Sequence, residues 1–162
     1  MRTVIRKYRP SDRPHVIKFM EELQDYLASI DSMKRTRRMP DYGQSYTRRL
    51  LEKIRKNNGA AYVAACEEHI IGLIAGLVRT QSRDDLLECI PSKGGIVLEL
   101  FVDAQFRRRR VGSLLMAKRE EYFRKRGCSL ARVEVFEPNV NAHNLYLKLG
   151  YADRIVDMVK EL

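Results

Sequence analysis

Apolar residues along this chain switch between two spacings, and the switches divide it into elements. Residues 3–8 alternate and predict a first strand. Ser11-Asp12-Arg13-Pro14 reads as a helix start, with a cap candidate and proline near the first turn. Val16, Phe19, Leu23, Tyr26 and Ile30 then recur at helical spacing. Pro40-Asp41-Tyr42-Gly43 breaks the pattern, and Tyr46, Leu50, Leu51 and Ile54 predict a second helix closing near Asn57-Asn58-Gly59. Residues 60–66 and 70–78 predict two strands joined by the turn Glu67-Glu68-His69. Gly72 and Gly76 leave room for close packing on the second strand.

Further on, an acidic loop (Asp84, Asp85, Glu88) and a second loop element at 91–95 precede a long strand at 96–102. A helix is expected from about Arg109 to Arg126, closed by Gly127, then a strand at 130–136. Ala142, Leu145, Tyr146 and Leu149 form one face of a short helix after Pro138, and residues 152–160 read as a final strand. The order β-α-α-β-β-β-α-β-α-β, without repeats, predicts an α/β fold with a mixed sheet and helices on both faces.

One stretch carries chemistry. From Val97 to Leu115 an apolar strand meets a short loop, four arginines (Arg107 to Arg110), Gly112 and an apolar-striped helix. A strand, loop and helix start present backbone N–H groups and a positive dipole end to an anion.

The 162 residues make one domain, large enough to bury roughly 70% of its unfolded surface. With 44% hydrophobic and 32% charged residues the chain reads as soluble and globular. The N-terminus is too charged for a secretory signal, and the longest apolar run, 70–78, is far short of the ~20 residues of a membrane span. A cytoplasmic protein with no membrane association is expected. Cys66, Cys89 and Cys128 are widely spaced, and His15, His69 and His143 do not cluster, so no metal is expected. Cys66 reads as core and His143 as a surface helix residue.

The formal net charge is +10, and residues 31–57 hold nine basic side chains against three acidic ones, or +6. Such a balance implies polyanionic company: nucleic acid, a phosphorylated cofactor or an acidic partner.

Leu98-Glu99-Leu100-Phe101-Val102, then Asp103 to Arg107 and Val111-Gly112-Ser113-Leu114-Leu115, resembles the acetyl-CoA signature of the GNAT N-acetyltransferase superfamily. Asn139 to Tyr151 resembles that family's second signature, NxxAxxLYxxxGF, and the element order matches its fold over nearly the whole chain. The resemblance implies a single domain, 1–162, with a splayed central sheet, acceptor-side elements at 31–95 and an acetyl-CoA-binding core at 96–151. It departs at the pyrophosphate loop, [QR]xxGx[GA] in the family, where Arg110 replaces the internal glycine. Arginine keeps the N–H but adds bulk, so Arg110 is expected to adopt ordinary helical geometry, its guanidinium offsetting the loss by gripping a phosphate.

What the resemblance implies for the site is specific. Arg107, Arg108, Arg109, Arg110, Val111, Gly112 and Ser113 would hold the pyrophosphate. Leu100, Phe101 and Val102 would pair through their backbone with the pantetheine arm, in a gap between their strand and that of Val133 and Val135. An N–H near Leu100 or Phe101 would polarise the thioester carbonyl. Asn139 and Ala142 would contact the cofactor from the other wall, and Tyr146 would protonate the leaving thiolate, as a phenol suits a thiol near 8.5.

Glu99 stands out from the residues themselves. A carboxylate in an apolar strand, with Val97 and Phe101 expected on its face, is expensive unless paired or used. It is a candidate base for the acceptor amine, or an ion-pair partner of Arg132 or another cation; Glu134 is the reserve candidate. The expected activity is acetyl transfer from acetyl-CoA directly to a primary amine. A nucleic-acid-binding module, and a non-catalytic acyl-CoA-binding module of the same fold, are the alternatives. Against nucleic acid, there is no aromatic–basic interleaving or helix-turn-helix spacing, and Arg110 is the only support for the non-catalytic module. The acceptor is unassigned: the basic 31–57 segment disfavours polyamines and suggests an acceptor with acidic surroundings, such as a protein terminus or an anionic metabolite, while Asp84, Asp85 and Glu88 argue the other way. A homodimer is expected, as in many relatives of that family.

Overall fold

A computed structural model describes residues 3–162; Met1 and Arg2, at the start of the expected domain and of the charged N-terminus, lie outside the described residues. Five strands form one sheet in sequential order: β1 (Thr3–Lys7), β2 (Ala60–Cys66), β3 (His69–Thr80), β4 (Lys93–Val102) and β5 (Leu130–Val133). β1 to β4 run antiparallel, and β5 joins β4 in parallel. Hairpins need only short turns, whereas the parallel step requires a crossover, and the helix after the arginine block provides it.

The helices are α1 (Arg13–Ile30), α2 (Tyr42–Lys56), α3 (Arg83–Glu88), α4 (Val111–Lys125) and α5 (Val140–Lys148). The helical apolar spacing of α1 and α2 turns Val16, Phe19, Met20, Leu50 and Ile54 onto one face of the sheet, against Val63, Leu73 and Phe101. Val111, Leu115, Met116 and Phe123 of α4, with Tyr146 of α5, cover the other against Ile71, Ile74 and Val97. Gly72 and Gly76 do permit close approach, because a Cβ there would lie 3.2 Å from Leu115 Cδ1 and 3.3 Å from Arg119 Cδ. Cys66 is buried in the same layer.

Several expectations are corrected. The acidic loop is the short helix α3, because Ser82 and Asp85 form a reciprocal capping box. Residues 93–95 belong to β4, since they pair with β3 and with Leu130, and Gly95 sits under the Phe123 ring. Asp12 makes no side-chain cap to α1; its carboxylate turns back onto Arg6 at 2.7 and 2.8 Å and onto the Arg9 N–H at 2.8 Å. β5 ends at Val133 rather than 136, because β4 diverges from it there.

The final strand is absent. Residues 152–160 join no ladder, and Ile155, Val156, Met158 and Val159 are exposed. A segment with apolar β-branched residues makes a strand only when an edge accepts its N–H and C=O groups. The chain order is therefore β-α-α-β-β-α-β-α-β-α.

The register of β4 departs from simple alternation. Ala75 faces Glu99 but Gly76 faces Val97, so Leu98 is an extra residue, a β-bulge. As a result Leu98 and Glu99 both turn toward α1 and α2, while Val97 packs on the α4 side. Val97 and Phe101 thus do not share a face, contrary to expectation.

Candidate active site

The bulge lies where the sheet opens. β4 pairs with β5 only from Gly94 to Val97, so from Leu98 to Val102 it has a strand partner on the β3 edge alone. Backbone groups on its other edge need an outside partner, since an unpaired buried amide costs about 1–3 kcal/mol. The three strand residues expected to meet a cofactor, Leu100, Phe101 and Val102, occupy this open segment. Phe101 points into the α1 layer, stacked on Phe19 at 4.7 Å, and Leu100 and Val102 face the α4 layer.

The arginine loop follows directly. Arg107 and Arg109 are engaged locally: Arg107 Nε donates to the Val102 carbonyl at 3.0 Å with its guanidinium 5.8 Å from the Tyr26 ring, and Arg109 covers Phe106 at 5.6 Å. Arg108 and Arg110 are exposed and, among the described residues, form no ion pair. Arg110 does not take helical geometry, a correction to the sequence reading. Its φ is +64° and that of Arg108 is +61°, both left-handed. Both keep the backbone that glycine adopts freely, at roughly 1–2 kcal/mol of strain each.

Alternation of left-handed and ordinary residues curls the chain into an anion-binding nest. Among the described residues, no protein acceptor takes the backbone N–H groups of Arg108 through Ser113. These donors, two free guanidinium groups and the dipole end of α4 fit a diphosphate. Val111 is buried beneath the loop, and Gly112 lets α5 approach, as a Cβ there would lie 3.2 Å from Leu145 Cδ2.

Glu99 reaches α2, where the Tyr46 hydroxyl donates to its carboxylate. Tyr46 stacks on Tyr42 at 5.1 Å. Burial raises the Glu99 pKa, with the Tyr46 hydrogen bond and nearby Lys53 pulling it partly back. The raised pKa makes the ionised carboxylate a stronger base, which suits proton removal from an amine. Arg132 is exposed on β5 and is not its partner.

On the other side of the sheet, Tyr146 is buried at 7% exposure, its ring 6.0 Å from Tyr151. Its hydroxyl donates to no protein group among the described residues. Burial, aided by the Glu99 charge, pushes its pKa up to about 12, so it retains a proton throughout the physiological range. Asn139 caps α5, its side chain accepting from the Ala142 N–H at 3.4 Å, which fixes both residues beside Tyr146. Glu134 lies beyond the end of β5, exposed on the rim of a cleft of about 540 Å³. Lys53, Lys56 and Asn57 at the end of α2, Arg79 of β3 and Leu98 at the bulge also line it.

His143 pairs with Asp153 at 2.7 Å on the surface. Among the described residues no group of His, Cys, Asp or Glu has metal-binding geometry, and no helix is long and apolar enough to cross a membrane.

Two residues escaped the sequence reading. Tyr46 looked like one more apolar position on α2, and nothing local marks its partner, 53 residues away. Arg119 did leave a signal, a cation in register with Leu115, Met116 and Phe123. It is wholly buried, donating to the Ala60 and Gly76 carbonyls, with its guanidinium 5.1 to 5.3 Å from the rings of Tyr62, Tyr122 and Phe123. Loss of hydration lowers its pKa to about 10, still cationic at neutral pH. It ties β2 to β3 one residue from the bulge.

The sequence profile of the acetyltransferase (GNAT) family matches residues 19–151. No curated protein is close enough in sequence to count as a relative. Among solved structures, a variant of the BH1408 protein from Bacillus halodurans superposes with a TM-score of 0.84 at 15% identity, over 98% of this chain and 99% of that one. Glucosamine-6-phosphate N-acetyltransferase from Arabidopsis thaliana gives 0.70 at 19% identity, over 99% of each chain. The aminoglycoside N-acetyltransferase AAC(6')-Iy in complex with CoA gives 0.72 at 18% identity, over 99% of this chain and 96% of that one. At such identities the likeness is one of fold.

Proposed function

Given that the chain belongs to the acetyltransferase (GNAT) family, we propose that it is an N-acetyltransferase using acetyl-CoA to acetylate a primary amine directly. The observation that carries this reading is the strand segment 98–102, which lacks a partner on one edge and runs into a nest of free N–H groups. Acetyl-CoA supplies a thioester whose carbonyl carbon gains the new C–N bond as its C–S bond breaks.

The protein's own groups do the rest. N–H groups of Arg108 to Ser113, with the Arg108 and Arg110 guanidinium groups, hold the pyrophosphate. The open edge of β4 takes the pantetheine arm as an extra strand would be taken, and an N–H near Leu100 or Phe101 stabilises negative charge on the carbonyl oxygen. Asn139 and Ala142 form the opposite wall. The Glu99 carboxylate, made more basic by burial, takes the proton from the amine, and Tyr146 gives one to the departing thiolate. No cysteine is needed as a nucleophile. The left-handed Arg110 supports cofactor binding, because the loop keeps the shape that glycine provides.

Thermal unfolding with acetyl-CoA, with CoA and with ATP tests the reading. At ~100 Kd a ligand adds about 2.7 kcal/mol, roughly 5 to 10 °C for this size. A shift with both CoA species and little with ATP is expected. No shift with either CoA species overturns it.

A further inference from the structure

The cleft beside the bulge is lined by charges of both signs. Glu134 lines it together with Leu98, the residue before Glu99. The last turns of α2 contribute Lys53 and Lys56. Arg79 also lines it but is tied to both oxygens of Asp85 at 3.1 Å. Among the described residues, Lys53 and Lys56 form no ion pair.

Nor are the lysines spent on capping their helix. The terminal carbonyls of α2 already have donors: Ile54 O accepts from Asn57 N–H at 3.3 Å and Gly59 N–H at 2.8 Å, and Lys53 O from Asn57 Nδ2 at 2.8 Å. Lys53 is close enough to Glu99 to lower that group's pKa. Tyr46, which holds Glu99, lies seven residues before Lys53 on α2, roughly 10 Å along the axis. A volume of about 540 Å³ suits a small molecule spanning that distance.

From this arrangement we infer that the acceptor is a small zwitterionic amine: its ammonium end faces Glu134 and reaches toward Glu99 beside the cleft, and a phosphate or carboxylate on the same molecule is held by Lys53 and Lys56. A polyamine would bring its second cation against the two lysines, whereas an anion there gains charge-assisted contacts. The inference rests on the proposed amine acetylation for its purpose, but the anion subsite is a binding property and can be measured without turnover.

Calorimetric titration of the intact protein, with CoA present, compares glucosamine 6-phosphate with glucosamine and 6-aminohexanoate with hexylamine. Each anionic member is expected to bind about tenfold or more tightly than its uncharged-end counterpart. The double variant Lys53→Gln/Lys56→Gln should bring that ratio toward one. Arg55→Gln, an exposed change on the same helix outside the cleft lining, should preserve it. The larger of the two ratios tells phosphate from carboxylate. Equal binding within both pairs, or a ratio unmoved in the double variant, overturns the inference. So does binding confined to peptides with acidic N-terminal sequences.

Release of CoA thiol, followed with the same amines, separates the two ideas. Discriminating binding without acetylation refutes the proposed activity and leaves the anion subsite standing. Acetylation of both members of each pair at equal kcat/KM does the reverse.

Discussion

Replacing Arg110 with glycine should make the protein more stable, although it deletes a large side chain. Arg110 is exposed and its backbone sits at φ +64°, ψ 3°. For an L-residue that conformation costs roughly 1–2 kcal/mol, whereas glycine adopts it without penalty. Glycine loses about 0.5–1 kcal/mol more chain entropy on folding, which leaves a net gain of about 0.5–1 kcal/mol. For a chain of this length that raises Tm by roughly 1–4 °C. The control is Arg110→Ala, which removes the guanidinium equally but keeps the strain. Urea and thermal unfolding without cofactor should place Arg110→Gly above both wild type and Arg110→Ala. Both variants should lose the same fraction of CoA affinity, because both keep the N–H nest and lose the same cation. A glycine variant no more stable than the alanine variant would refute the left-handed geometry and the argument that the loop keeps a glycine shape.

Tyr146→Phe removes a proton donor that makes no protein hydrogen bond among the described residues; kcat should fall about 10²-fold or more while the acetyl-CoA thermal shift remains. A kcat within twofold of wild type would exclude it as the acid. Glu99→Gln should abolish the rise of kcat/KM with pH through the raised pKa of Glu99, seen in a pH–rate profile. The sign for stability runs the other way: a folded pKa above the unfolded one makes the protein bind more protons when folded, so this group's contribution is lost as pH rises through the raised value. Glu99→Gln should therefore flatten that decline in Tm measured from pH 4 upward. Arg119→Ala leaves a void and two buried carbonyls short of a donor, and urea unfolding should register a loss of at least ~3 kcal/mol.

Two features of the site bear on specificity rather than on chemistry. Tyr46 holds Glu99 from the α2 side, and α2 also carries Lys53 and Lys56, so one helix supports both the proposed base and the charge of the proposed acceptor cleft. The proposed cofactor side is built from a separate region, the open edge of β4, the arginine nest and α5. Under the proposed function, changes in α2 are expected to alter acceptor choice while leaving the nest intact.

Periodicity decided the helices and strands, since burial of a 3.6- or 2-residue stripe is a local property of the chain. The arginine block with Gly112 and the odd carboxylate Glu99 were legible as residues of interest, because each breaks or completes a local pattern; Tyr146 stood out only through the resemblance to the second family signature. What the pattern left undecided depends on contacts between distant residues. Residues 152–160 carry strand-forming residues but meet no edge, and residues 134–136 lose theirs where the sheet opens. The bulge at Leu98 arises from register against β3, and it puts Leu98 on the face of Glu99 and Phe101 while Val97 turns to the other. The left-handed turn at Arg110 goes against the preference of the residue itself, because helix α4 and the end of β4 constrain the loop between them. Glu99 and Arg119 each stand out in their own element, but their pairings, 53 residues to Tyr46 and 59 to Ala60, leave no local trace. Only packing of the two helical layers across one sheet brings them together.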